Sequence, residues 1–259
     1  MTEVQSEALT HLANCALGRG IGVEAYQADK LLLALDVPHV DGVRLLYRIV
    51  VAADGPYLSA QEEPAIRCLP EFCPERHIVG EGLFCMYWRG ERSFAVTDLD
   101  SAASWLNLLI NFLRLQRRAA KQRRWPNQET WAHGRAAGHQ QRAERTADKL
   151  GSEMRTTLDS KQLHASSETD GTLRVLQGDQ PLFSVWRSPG RRDRHGHRLP
   201  CANERGTGKR GITHGARAEL LGELALALVL WETDEKAFWV HHQGRVCCGT
   251  IDDCPLRLA

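Results

Sequence analysis

The chain contains no apolar run that approaches the ~20 residues a membrane-spanning helix needs, which excludes a helical span and a membrane partner. Its Met1 end, with Thr2, Glu3, Gln5 and Glu7, lacks the basic and apolar layout of a secretory leader, so a cytoplasmic protein is expected. Net charge is almost absent: 33 Lys and Arg stand against 32 Asp and Glu, leaving +1. The aromatic residues are not interleaved with the basic ones, and together these two absences disfavour a nucleic-acid partner. No internal repeat is visible.

What is present is ordinary in amount and uneven in distribution. The 259 residues, 42% hydrophobic and 25% charged, suit one large soluble domain or two small ones, each with a real core. Charge is segregated along the chain. Lys and Arg against Asp and Glu leave −7 over residues 1–113, +7 over 114–149, −2 over 150–186, +7 over 187–217 and −4 over 218–259. Two basic blocks therefore lie among acidic segments, as linkers or docking surfaces do. The eight cysteines would stay reduced in a cytoplasm, so metal ligation or catalysis outranks disulfides as their explanation.

Periodicity divides the chain. Residues 3–17 carry Val4, Leu9, Leu12, Ala13 and Ala16 at helical spacing before Gly18 and Gly20, an amphipathic opening helix. The apolar runs 31–37 and 43–52 read as a strand pair, and 65–69, bounded by Pro64 and Pro70, as a third strand. Asp100 or Ser101 can cap a helix over about 100–120 whose face holds Trp105, Leu108, Leu109, Phe112 and Leu115. Arg114, Arg117, Arg118, Lys121, Arg123 and Arg124 crowd its C-terminal end, where cations are favourable. Residues 127–170 are polar and read as a surface helix plus linker. Strands are expected at 172–177 and 182–187, irregular chain at 188–217, and an apolar helix at 216–231.

Chemistry concentrates first at Cys85. The segment CPERHIVGEGLFCMYW, Cys73 to Trp88, sets His77 eight residues before Cys85, with Gly80 and Gly82 permitting a tight non-helical path between them. A thiol that accepts an acyl group needs exposure, a path for the donor and a polar hydrogen near the oxyanion. The competing reading of the same residues is a core cysteine in an edge strand beside Leu83 and Phe84. Cys68 alternates with apolar neighbours and reads as core. Cys73, ahead of Pro74, reads as exposed, and a Cys73–Cys85 redox pair is an alternative.

The order of helix, meander, proline-bounded strand, His-x-x-Gly-x-Gly-x-x-Cys and crossing helix resembles the ubiquitin-conjugating enzymes over residues 1–125. His77 resembles the histidine of their His-Pro-Asn segment, Gly82 the glycine three residues before the active cysteine, and Cys85-Met86 their Cys-Leu pair. Ile78 and Val79 stand where that family has Pro-Asn, and the histidine-to-cysteine spacing is shorter. The likeness is to the divergent bacterial branch, found beside ubiquitin-like modifiers, activating enzymes and deconjugating peptidases. It implies an α+β fold, an antiparallel meander with flanking helices. It also implies transthiolation: Cys85 takes a modifier from an activating enzyme and passes it to a protein target. His77 would be the assisting residue, with Arg76 as a possible electrostatic aid.

The C-terminal half holds Cys201, Cys247, Cys248 and Cys254 with His195, His197, His214, His241 and His242, a collection that suits tetrahedral zinc. Residues 200–215, PCANERGTGKRGITHG, resemble the SEC-C type of zinc motif through Cys201, Gly206 to Arg210 and His214. Asn203 replaces its second cysteine, so Cys247, Cys248 or Cys254 would complete the set. The alternative is free cysteines packing a small domain. The closing CCGTIDDCPL resembles cysteine-rich bacterial proteins associated with conjugation systems. The expected organisation is a conjugating-enzyme-like domain at 1–125, a polar linker or surface helix at 126–170, and a small cysteine-rich domain at 171–259. The expected function is a modifier carrier. The alternatives are a catalytically inactive scaffold of the same fold with a zinc-binding tail and, on the basic blocks alone, a zinc-binding nucleic-acid adaptor.

Overall fold

The computed structural model describes residues 6–27, 29–87, 94–126, 131–169, 171–192, 198–204, 211–213 and 216–257, with the backbone alone over 25–27 and 186–213. The chain forms two compact units: Met1–Thr130 with His242–Ala259, and Trp131–His241. The division differs from the expected one, because the last stretch of the cysteine-rich region belongs to the first unit.

In the first unit, helix α1 (Glu7–Gly18) precedes the strands β1 (Gly22–Gln27), β2 (Lys30–Pro38), β3 (Arg44–Asp54) and β4 (Tyr57–Glu62). These form an antiparallel meander, and the short hairpin of β5 (Ile78–Val79) and β6 (Leu83–Phe84) extends it in the order β1-β2-β3-β4-β6-β5. The expected strand pair is β2 and β3, in register from Lys30↔Ala52 to Pro38↔Arg44. The third strand is not at 65–69 but at β4, whose alternate residues are buried. The cause is Glu62: its carboxylate accepts the backbone N–H groups of Cys68 and Leu69 at 2.9 and 2.8 Å. Those donors would otherwise need a neighbouring strand, and the segment turns instead, leaving Ile66 and Cys68 exposed.

Helix α2 (Leu99–Gln122) is capped by Asp98 rather than Asp100 or Ser101. Asp98 Oδ1 accepts from the Ser101 N–H at 2.7 Å, and Ser101 Oγ accepts from the Asp98 N–H at 3.0 Å, closing a capping box. Its buried face carries Trp105, Leu106, Leu109, Phe112 and Leu113 against Leu9, Leu12 and the sheet residues Leu33, Leu35, Ile49 and Val51, the core of this unit. Part of the first basic block is neutralised internally, since Arg117 and Lys121 both hold Asp41.

The second unit contains α3 (Ala136–Leu150), α4 (Ser152–Asp159), the strands β7 (Leu163–Ser167), β8 (Thr172–Gln177), β9 (Gln180–Arg192), β10 (Arg198–Glu204) and β11 (Gly211–Thr213), and α5 (Ala216–His241). Its sheet is antiparallel in the order β11-β10-β9-β8-β7. The segment expected to be a surface helix plus linker holds helices α3 and α4, and α3 buries a face of small residues, Ala136, Ala137, Ala143 and Ala147, and packs on α5. Alanines carry little hydropathy signal but make good helix and allow close approach. The segment expected to be irregular contains β10 and β11 and the end of β9. Backbone pairing from Pro200↔Arg187 to Glu204↔Phe183 sustains these strands without an apolar alternation.

Candidate functional site

The site is built on the hairpin that follows Cys73. Pro74 opens a single 3-10 turn, Pro74–Arg76, suited by its fixed φ and missing N–H. His77 ends the turn in the left-handed region at φ 55°, a conformation histidine tolerates better than most residues. Cys73 and Ile78 then exchange backbone hydrogen bonds across the turn at 2.8 and 3.1 Å. β5 pairs with β6 through Ile78↔Phe84 and Val79↔Leu83, and Gln61↔Leu83 joins the hairpin to β4. Gly82, at φ 90°, completes the turn between the two short strands.

Cys85 lies one residue beyond β6, in irregular chain, and is exposed. Its backbone N–H donates to the His77 carbonyl at 2.8 Å, which prolongs the ladder by one bond and fixes the point at which the chain leaves the sheet. The neighbouring residues are anchored. Phe84 is buried against Phe112 with ring centroids 4.8 Å apart, Met86 packs on the core, and the Tyr87 hydroxyl donates to the Leu58 carbonyl. Alternation along this strand sends Phe84 inward and leaves the Cys85 thiol outward.

His77 is buried, with its imidazole edge-on to Trp125 at 4.9 Å between centroids. Arg76, 3% exposed, gives its guanidinium hydrogen bonds to α2 and the C-terminal tail. Its Nε and Nη2 donate to Oε1 and the carbonyl of Gln116 at 2.8 and 3.1 Å, and Gln116 Nε2 donates back to the Arg76 carbonyl at 2.6 Å. Its third contact, Nη1 to Thr250 Oγ1 at 3.1 Å, reaches the C-terminal tail. Burial holds the guanidinium below its ordinary pKa, opposed by the Cys73 and Cys248 sulfurs and the Tyr47 hydroxyl nearby. Neither Gln116 nor the packing of Trp125 on His77 was picked out from the sequence. A glutamine within an apolar helical face is the signal that could have found the first.

The tail is part of this site. Asp252 takes the Arg123 side chain at 2.7 Å and returns its N–H to the Arg123 carbonyl at 2.9 Å, while Ile251, Cys254 and Leu256 are buried. Cys248 Sγ lies 2.7 Å from Cys73 Sγ, and the two are not disulfide-bonded. Cys73 is therefore not exposed, at 1%, and the sulfur it meets is that of Cys248. The hydrogen bond shared with Cys73, with further help from Thr250 and Arg76 against the effect of burial, brings Cys248 down to about 5, and the same contact together with burial pushes Cys73 up. A cleft of about 670 Å³ opens here between residues 70–72 and Glu81 on one side and residues 244–248 on the other.

The expected zinc ligands fall on both units and on chain that is not fully described. Cys247, Cys248 and Cys254 lie in the first unit, whereas Cys201 falls within β10 of the second, where only the backbone is described, and His214 lies outside the described residues. Among the described residues no group of three or more His, Cys, Asp or Glu side chains could hold a metal ion. Tetrahedral ligands at ~2.3 Å from zinc stand roughly 3.7 Å apart, so sulfurs at 2.7 Å do not fit as a ligand pair. The second tail pair is Cys247 beside Cys254, whose thiol is raised by burial and by that neighbour.

Comparison with known families places two matches end to end. Residues 20–127 match the family model described as a prokaryotic E2 domain, and residues 132–256 match the one described as a cysteine-rich domain, C-terminal to E2 domain. A cysteine-rich domain of this kind is compatible with metal binding. No curated protein and no solved structure matches the chain. No helix among the described residues is long and apolar enough to cross a membrane.

Proposed function

From the two adjacent family matches and the exposed thiol on the hairpin, we propose that this protein is a carrier enzyme of a bacterial ubiquitin-like conjugation pathway, acting in the cytoplasm through Cys85. The observation that carries the reading is the placement of Cys85, an exposed sulfur at the end of a pinned hairpin inside the region that matches a prokaryotic E2 domain. The Cys85 thiolate attacks the carbonyl carbon of the modifier's thioester on the activating enzyme. The tetrahedral intermediate collapses with loss of the donor thiolate, leaving the modifier as a new thioester on Cys85. An amine or hydroxyl of the target then attacks that carbonyl and releases the Cys85 thiolate.

The carrier domain in this reading is the one expected at residues 1–125, with residues 242–259 added to it. His77 assists in one of two ways: its carbonyl fixes the Cys85 backbone, and its imidazole can supply the polar hydrogen that Pro-Asn-type family members take from asparagine. The reading needs no zinc. Metal analysis of the purified protein reports on any site built from Cys201 and His214.

The test uses the full chain with its cognate activating enzyme, ATP and modifier. A thiol-sensitive adduct is expected. Cys85→Ser should replace it with a reductant-resistant ester or abolish it, while Cys68→Ser leaves it intact. An unchanged adduct in Cys85→Ser moves the active thiol elsewhere. No adduct from the parent protein with a demonstrably active upstream enzyme assigns the fold to the scaffold alternative.

A further inference from the structure

Beyond the carrier thiol, the first unit holds a second cysteine site. Cys73 and Cys248 are 175 residues apart in the chain, and their sulfurs meet at 2.7 Å. That separation is only about 0.7 Å longer than a disulfide bond. Neither sulfur depends on a loose segment for its position. Cys73 is held by its two-way backbone bridge to Ile78 at the root of the hairpin. Cys248 is held from the other side by Thr250, whose Oγ1 lies 3.0 Å from its sulfur and accepts from the buried Arg76, and by the Asp252–Arg123 clasp that follows.

We propose that Cys73 and Cys248 form a reversible dithiol–disulfide site, reached through the cleft beside Cys248 and oxidised by low-molecular-weight disulfides, which fastens the C-terminal tail to the root of the Cys85 hairpin. The order of events follows from access. Cys248 is half-buried and lines the cleft, whereas Cys73 is buried beneath it. A small disulfide RSSR therefore meets Cys248 first. The Cys248 thiolate attacks one sulfur, the S–S bond of the reagent breaks, and RS⁻ leaves and takes up a proton. Cys73 then loses its thiol proton and attacks Cys248 Sγ in the mixed disulfide. The Cys73–Cys248 bond forms and a second RSH departs. Two protein thiols are oxidised and one RSSR is reduced to two RSH; an excess of small thiol drives the same exchange backwards.

The site does not depend on the carrier reading, and its geometry argues against the zinc role suggested for Cys248 in the sequence. A metal would spread its ligands to about 3.7 Å and recruit others. The described residues offer instead two sulfurs in contact and no third ligand for a metal.

The experiment exposes the reduced full chain to oxidised glutathione, then alkylates, digests and analyses it by mass spectrometry. One peptide pair linking Cys73 to Cys248, lighter by two hydrogens, is expected, and thiols titrated in denaturant should fall from eight to six. Cys73→Ser should stop at a single glutathione adduct on Cys248, and Cys248→Ser should form neither product. Glutathione adducts that accumulate on wild-type Cys248 without closing, or a link confined to Cys247 and Cys254, would overturn the proposal. So would zinc in the purified protein that is lost in Cys248→Ser. The wild-type peptide map needs no variant, so misfolding of a substituted chain cannot obscure the result.

Discussion

Gln116→Ala is expected to destabilise the first unit by about 3 kcal/mol. Gln116 is fully buried, and its side chain accepts the Arg76 Nε at 2.8 Å and donates to the Arg76 carbonyl at 2.6 Å. The first is a bond to a charged group, worth roughly 1.5–3 kcal/mol, and the second a neutral one worth roughly 0.5–1.5. Truncation also leaves a guanidinium that is 3% exposed short of an acceptor, with no carboxylate among its hydrogen-bond partners in the described residues. For a unit of this size the loss corresponds to a fall in Tm of about 6–12 °C. Urea unfolding, with hydrogen exchange of the α2 amides to isolate this unit, measures it. Gln116→Met fills the volume without restoring the bonds and should lose nearly as much. Arg76→Met combined with Gln116→Leu should cost less than Gln116→Leu alone, because removing both partners leaves no buried charge unsatisfied. A loss under about 1 kcal/mol in both Gln116→Ala and Gln116→Met, or a Gln116→Met variant as stable as the parent, would refute the reasoning and make the contact incidental.

Two further outcomes follow from the same unit. His77→Ala should slow thioester formation by on the order of 10²-fold if the imidazole donates to the oxyanion, whereas His77→Asn, which tolerates the left-handed backbone and keeps a donor, should recover part of the rate in single-turnover assays. Equal losses in the two variants would limit His77 to holding the hairpin. Glu62 is raised above the usual carboxylate range, chiefly by burial, and its Oε1 has no hydrogen-bond partner among the described residues. A raised folded pKa gives stability that is present below the unfolded value, near 4.5, and lost as pH rises through the folded one. Glu62→Gln, which keeps the acceptor for Cys68 and Leu69, should therefore be at least as stable as the parent at pH 7 and should flatten the decline above pH 4.5. A clear destabilisation at pH 7 would show that the charge itself is needed.

Much of the first unit was legible because its signals are local. The apolar runs of β2 and β3 and the helical spacing from Trp105 to Phe112 act within a few residues. The failures share a cause, which is that a distant partner decided the outcome. The segment 65–69 has strand-like residues, but the Glu62 carboxylate captured its N–H groups. Cys73 looked exposed beside Pro74, and what buries it includes a sulfur 175 residues away. The helix expected within 127–170 is present, but its buried face was not legible because alanine packing in α3 has no hydropathic contrast to display. Cys85 and its hairpin were within reach because glycines and a cysteine mark them. Gln116, which holds the preceding turn from 40 residues away, had only one polar side chain in an apolar stripe to betray it.

The hairpin itself explains why so many remote residues converge on it. Two strands of two residues each cannot stand alone, since an isolated hairpin is at best marginal even when longer. Its geometry must come from what grips it: the Gln116 clasp on Arg76, Trp125 against His77, Phe112 against Phe84, and the tail at Cys73. A reacting sulfur has to be exposed, so it cannot be positioned by its own burial. The alternative is to bury its neighbours on both sides, and Phe84 and Met86 are placed to do this. Rate in acyl transfer depends on holding the nucleophile in line with the donor carbonyl, and displacements of ~1 Å are costly. Substitutions in α2 or in residues 248–252, which need not touch Cys85, should therefore alter its reactivity through the hairpin.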